Sequence, residues 1–166
     1  MLDRQDYLYF TERALDGMTS IVRGLGDDLA NRKPSLEGAN SPFALLTHCV
    51  GVIDYWVGYL IAGRHTDRDR EAEFLASGPI QPLLLEVRST KAQLIEDVLN
   101  AEPEAPLRSV PPADFQGPDR TLTQGGALQH VFEELAQHHG QMELMRDVIV
   151  AEHAGHLITV NNAVRS

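Results

Sequence analysis

Apolar residues recur along most of this chain at steps of three and four, the period of an α-helix rather than the alternation of a strand. From about Asp3 to Leu25, Tyr7, Phe10, Ala14, Ile21 and Leu25 form one stripe with Asp and Arg between them, which predicts an amphipathic first helix. Gly24 and Gly26 signal its end. The run Asp27 to Asn40, with Pro34, Gly38 and Asn40, reads as a long connection. Ser41 suits an N-cap and Pro42 the first helical position, so a second helix is predicted from there to about Ala62, stopped by Gly63. Along it His48, Val52, Tyr55, Trp56 and Tyr59 follow α-helical spacing, which would place the histidine on an aromatic face.

The stretch Arg64 to Phe74 is dense in charge of both signs and reads as a short exposed helix or turn, a solvated face in preference to an anion site. After Gly78, Pro79 and Pro82 a third helix is predicted over about Gln81 to Asn100, where Leu84, Val87, Leu94, Ile95, Val98 and Leu99 recur at helical steps. Between Glu102 and Gln124, Pro103, Pro106, Pro111, Pro112 and Pro118 leave room for little beyond a short extended piece. A fourth helix is expected from near Thr123 to Val150 or Ala151, weakened at its start by Gly125 and Gly126 and carrying an interior Gly140, which suggests a packing or access role. The remainder, Glu152 to Ser166 with His153 and His156, shows no strong period and reads as a tail or docking segment.

Four long helices without a strand pattern predict an all-α four-helix bundle, one domain over residues 1–166, with long connections after the first and third helices. The longest apolar run, around Val50 to Ala62, is broken by Asp54 and two glycines and reads as too short and polar to span a bilayer. No basic region followed by an apolar run opens the sequence, so a cytoplasmic location is the default. The net charge of −10, with no basic cluster, disfavours a nucleic-acid partner. The one cysteine, Cys49, cannot form an internal disulfide and reads as a small core residue, not a nucleophile, despite standing beside His48.

Candidate chemistry concentrates in the fourth helix. His130, Glu134 and His138 follow one another at i, i+4 and i+8, with Gln141 continuing the row, so their side chains share one face about a turn apart. Glu134 and His138 can reach one metal ion, and His48 from the second helix is the expected third ligand. Two histidines and a carboxylate suit a catalytic zinc site with an open position, and equally a facial triad for Fe(II). The spacing by itself is also compatible with ordinary polar residues. His130 is expected beside the site and Gln141 as a partner of a ligand or substrate. His139 points about 100° away from His138.

His48 in Leu46-Thr-His-Cys-Val-Gly51, followed by His130-Val-Phe-Glu-Glu-Leu-Ala-Gln-His-His-Gly-Gln141, resembles the DinB-like superfamily of four-helix metal proteins. Gly38-Ala-Asn-Ser-Pro-Phe43 and Arg68-Asp-Arg-Glu-Ala-Glu-Phe74 make the resemblance closest to its mycothiol S-transferase branch. The resemblance implies a DinB/YfiT-like bundle over most of residues 3–150. It further implies a divalent metal, zinc first, held by His48, Glu134 and His138, and mycothiol as thiol cosubstrate. The implied activity is an S-transferase that takes the thiol as thiolate on the metal and passes it to an electrophile in detoxification. Tyr55, Trp56, Tyr59 and Gln141 would contact the substrate, and the chain would be a homodimer. Two alternatives stay open: another metal-dependent enzyme on this scaffold, a thiol-dependent isomerase or a hydrolase, and a non-catalytic helical binding module.

Overall fold

The computed structural model describes residues 3–109, 111 and 119–164. Pro112, Pro118 and the side chain of His156 lie outside them. Among the described residues the chain is helical without a strand: α1 (Arg4–Ala30), α2 (Pro42–Ile53) continuing as a π-helical segment (Asp54–Ile61), α3 (Arg70–Leu75), α4 (Ile80–Asn100) and α5 (Gln124–Val164). Pro106 and Thr123 form an isolated antiparallel bridge, the short extended piece the proline-rich connection allows.

The helix starts follow from local chemistry. Asp3 accepts from the backbone N–H groups of Gln5 and Asp6, and Ser41 Oγ accepts from Ala44 N with Pro42 at the first position of α2. Gly26 leaves the helical region at φ 67, the left-handed conformation glycine tolerates best. The helix then resumes for one turn to Ala30, so α1 outlasts its expected end. That extra turn has a use. Asp27 Oδ1 accepts from Ile80 N at 2.8 Å and caps α4, which has no cap from its own Pro79, while the Asn31 side chain exchanges two hydrogen bonds with the Gly78 backbone.

Contacts fix the helix directions. Asp16 meets Lys91, Asp27 meets Ile80 and Arg4 meets the Ala101 carbonyl, so α1 and α4 are antiparallel. Phe10 lies by Phe132 and His139 lies over Gly17, so α5 runs parallel to α1. His48 faces His138 while Trp56 faces His130, which makes α2 antiparallel to α5 and parallel to α4. Two parallel neighbours require a return passage along the bundle. The segment 62–79 with α3 is that crossover, a long connection additional to the two expected.

The core is one apolar cluster drawn from all four long helices. On α5, Leu128, Val131, Leu135, Met142, Met145 and Ile149 are buried at steps of three, four and seven, and His138 occupies the position the pattern leaves between Leu135 and Met142. On α1 the stripe runs through Leu8, Thr11, Leu15, Met18 and Val22 beside Tyr7, Ala14, Ile21 and Leu25. Phe10 falls at its edge, 48% exposed, and Leu99 on α4 is likewise exposed. The Pro42–Ile61 stretch is longer than the apolar run read from sequence, and by length and composition it could cross a membrane. Most of it is buried in the bundle, which accounts for its apolar character. Gly140 faces open space, so no close approach explains it. Helix α5 continues to Val164 instead of ending near Ala151.

Candidate metal centre

His48 and His138 aim the same ring atom at one carboxylate. His48 Nε2 lies 3.6 Å and His138 Nε2 3.5 Å from Glu134 Oε2, and the three donor atoms all lie within 4.8 Å of one another. Two donors about 2.0–2.1 Å from a tetrahedral zinc stand about 3.3 Å apart, so the group needs little adjustment to close on one cation. Burial grades across it: the His48 side chain is 3% exposed, His138 19% and Glu134 27%. The centre is therefore sealed on the α2 side and reachable past α5.

The opposite nitrogen of each ring is already engaged. His48 Nδ1 donates to Glu73 Oε2 at 2.7 Å, and His138 Nδ1 donates to Gln141 Oε1 at 2.9 Å. Both assignments leave the Nε2 lone pairs directed at Glu134, the tautomer a metal requires. Phe74 stacks on the His48 ring at 4.4 Å between centroids. Gln141 thus touches a candidate ligand, one helical turn beyond it.

Glu73 and Arg68 are the residues that sequence reasoning missed. The run Arg64 to Phe74 is exposed at five positions, but Glu73 is buried and Arg64 and Arg68 tie it to buried carboxylates. Arg68 grips Glu73 through two nitrogens, Nε to Oε1 at 2.6 Å and Nη2 to Oε2 at 2.9 Å, and its side chain is 6% exposed. Arg64 pairs with Asp97 of α4 at 2.6 Å, and Asp69 caps α3 through Ala72 N. His65, Asp67, Asp69, Glu71 and Ala72 are exposed and fit the solvated face expected of the run; Glu73 and Arg68 depart from it. The available signal was an acidic residue, Glu73, directly before the aromatic Phe74 inside one of the motifs of the family resemblance.

Electrostatics follow this geometry. Burial alone would lower the His48 pKa, but the hydrogen bonds that its protonated ring makes to Glu134 and Glu73 outweigh it and raise the value. Glu134 is held well below the usual carboxylate range, first by His138 and then by His48. Burial pushes Glu73 up, but its bonds to His48 and Arg68 bring it below the ordinary value. Cys49 is fully buried, its Sγ 3.7 Å from Met18 Sδ, and burial followed by the nearby carboxylates pushes its thiol far up, which opposes a nucleophilic role.

The aromatic residues are placed differently from the sequence expectation. The π segment repeats through i→i+5 bonds, as from Ala62 N to Val57 O, so α-helical spacing from His48 does not carry through it. Trp56 turns its ring edge to His130 at 4.7 Å, Tyr55 lies under Arg68 at 5.6 Å, and Tyr59 stands beside Tyr55 at 5.5 Å. Tyr55 and Trp56 are buried, so the π segment supports the surroundings of the site more than it forms an open wall. His130 is outside the donor group; its buried Nδ1 has no hydrogen-bond partner among the described residues and lies 3.5 Å from Glu133. His139 lies against Gly17 and lines a groove of about 400 Å³ between α1 and α5 that includes none of the three donors.

The description "DinB superfamily" fits residues 11–142, most of the chain and all three donors. The chain belongs to the DinB superfamily. It is also similar in fold to a solved structure of a conserved protein from Enterococcus faecalis, with a TM-score of 0.67 at 14% identity, covering 91% of this chain and 99% of that one. No curated protein matches it in sequence. Two histidines and a glutamate that could hold a metal ion thus converge on an all-α DinB fold.

Proposed function

We propose that this DinB protein is a metal-dependent thiol S-transferase, holding one divalent cation, zinc first, on His48, Glu134 and His138. The observation that carries the reading is the convergence of two Nε2 atoms on Glu134 with each Nδ1 already occupied. Three protein donors leave a position for another ligand, the arrangement of catalytic rather than structural sites. When bound, a divalent cation would supply Lewis-acid stabilisation of a thiolate over its thiol at neutral pH.

The residues of the chain do the rest. Glu73 and Gln141 orient the two imidazoles, and Phe74 stacks on the His48 ring. Partial exposure of Glu134 and His138 provides the entrance for a small thiol, with mycothiol the cosubstrate suggested by the resemblance, and for an electrophile. Tyr55, Trp56 and Tyr59 shape the neighbouring core, and Gln141 stands at the rim. In the transfer the thiol sulfur joins the electrophilic carbon, the leaving group departs and the thiol proton passes to water. No nucleophile from the chain is needed. We further propose that it works in a reducing cytoplasm as a homodimer, with no nucleic-acid or membrane partner.

The test is thiol consumption in the presence of an electrophile such as 1-chloro-2,4-dinitrobenzene, with mycothiol and with other small thiols. Acceleration by the metal-loaded chain, lost together with the metal in His48→Ala, Glu134→Ala and His138→Ala, supports the reading. Transfer at the normal rate without metal sinks it.

A further inference from the structure

We propose that Arg68 sets the charge of the centre, and so selects an anionic ligand for its open position. The inference rests on the metal-binding reading above and concerns what the site accepts. A divalent cation with Glu134 as its one anionic donor carries a single positive charge. Glu73, bound to the outer nitrogen of His48, would cancel that charge if it stood alone. Arg68 restores it: the guanidinium covers both Glu73 oxygens and lies 3.5 Å from His48 Nδ1.

Position makes the charge matter. The Arg68 side chain is 6% exposed and Glu73 9%, so neither is screened by water as a surface pair is. The fold also commits to the pair. Gly51 of α2 faces Glu73 so closely that any side chain there would overlap the carboxylate, and Tyr55 lies beneath the guanidinium. Orienting His48 requires only an acceptor for its Nδ1–H, which a neutral side chain or a backbone carbonyl provides. A buried ion pair in that role orients the ring and leaves the centre cationic. Thiolates are ligands of this class, and neutral donors are disfavoured relative to them.

The test uses the full chain loaded with Co(II), whose visible spectrum reports ligands entering the open position. The probes are thiocyanate as anion and imidazole as neutral ligand, compared at one pH. In Arg68→Gln, Co(II) is retained and the affinity for thiocyanate relative to imidazole falls about tenfold, whereas Arg68→Lys keeps the wild-type ratio. Glu73→Gln moves the ratio the other way, up by about tenfold, while holding Co(II) more weakly. This second variant decides the matter if Arg68→Gln does not fold. Ratios unchanged in Arg68→Gln and Glu73→Gln, or shifted in the same direction in both, overturn the inference alone. A wild-type chain that binds no Co(II) overturns the metal-binding reading and this inference with it.

Discussion

A β-carbon on Gly51 would fall 1.9 Å from Glu73 Oε1, closer than two unbonded atoms can approach. The glycine is thus what lets the crossover press its carboxylate against α2 and reach His48. Gly51→Ala forces Glu73 outward, toward a hollow of about 280 Å³ lined by Thr47, Asp54 and Glu86. The expected cost is about 1–3 kcal/mol of folding stability. Metal affinity should also fall about 10–100-fold, as for loss of other groups that orient a ligating histidine. Chemical denaturation and a competition titration with a chromophoric chelator measure the two effects separately.

Cys49 should be dispensable for chemistry. Cys49→Ala is expected to cost about 1–2 kcal/mol through a small cavity against Met18, and to leave metal content and thiol transfer intact. In the native protein the thiol should resist alkylation by iodoacetamide until the chain unfolds. Rapid labelling of the folded protein, or loss of transfer in a folded Cys49→Ala, contradicts this.

Asp27→Ala separates stability from function. The carboxylate accepts from Ile80 N at the start of α4, far along the bundle from the donors. Losing the cap should lower stability by about 1 kcal/mol, with metal stoichiometry and affinity unchanged. Thermal unfolding with and without metal reads both.

Metal affinity should rise with pH through the His48 titration. The folded-state pKa of His48 is raised. In the metal-free chain its protonated form therefore contributes stability that is complete below about pH 6.5 and is lost as pH climbs through the raised value. A cation needs the deprotonated ring and must displace that proton. Glu134 and Glu73 are shifted down, so they stay ionised across this window and add stability that is lost only in acid. Zinc affinity measured from about pH 5.5 to 8.5 should increase at least about tenfold per unit below the His48 pKa, because at least one ring proton is displaced, and level off at higher pH. A flat profile contradicts a site built on imidazole donors.

The bundle was legible because its signals are local: the Ser41-Pro42 start of α2 and the heptad-like row from Leu128 to Ile149 both lie within a few turns of chain. His138 was visible for the same reason, standing one turn after Glu134 in the row His130, Glu134 and His138. Glu73 was not, because its partner His48 lies 25 residues away and a buried charge with distant partners looks in sequence like any surface charge. The π segment escaped because Tyr55, Trp56 and Tyr59 satisfy an α-helical pattern as well as an i→i+5 one. The extension of α5 past Ala151 escaped because its sequence has no apolar stripe to mark it.

Metal content of the purified protein by plasma mass spectrometry, repeated on His48→Ala and Glu134→Ala, tests the reading of the site most directly. About one divalent metal per chain is expected in the wild type, and loss of it in both variants while circular dichroism shows the helices intact. No metal in the wild type after reconstitution, or metal retained in both folded variants, would contradict it and leave a helical bundle whose histidines are structural.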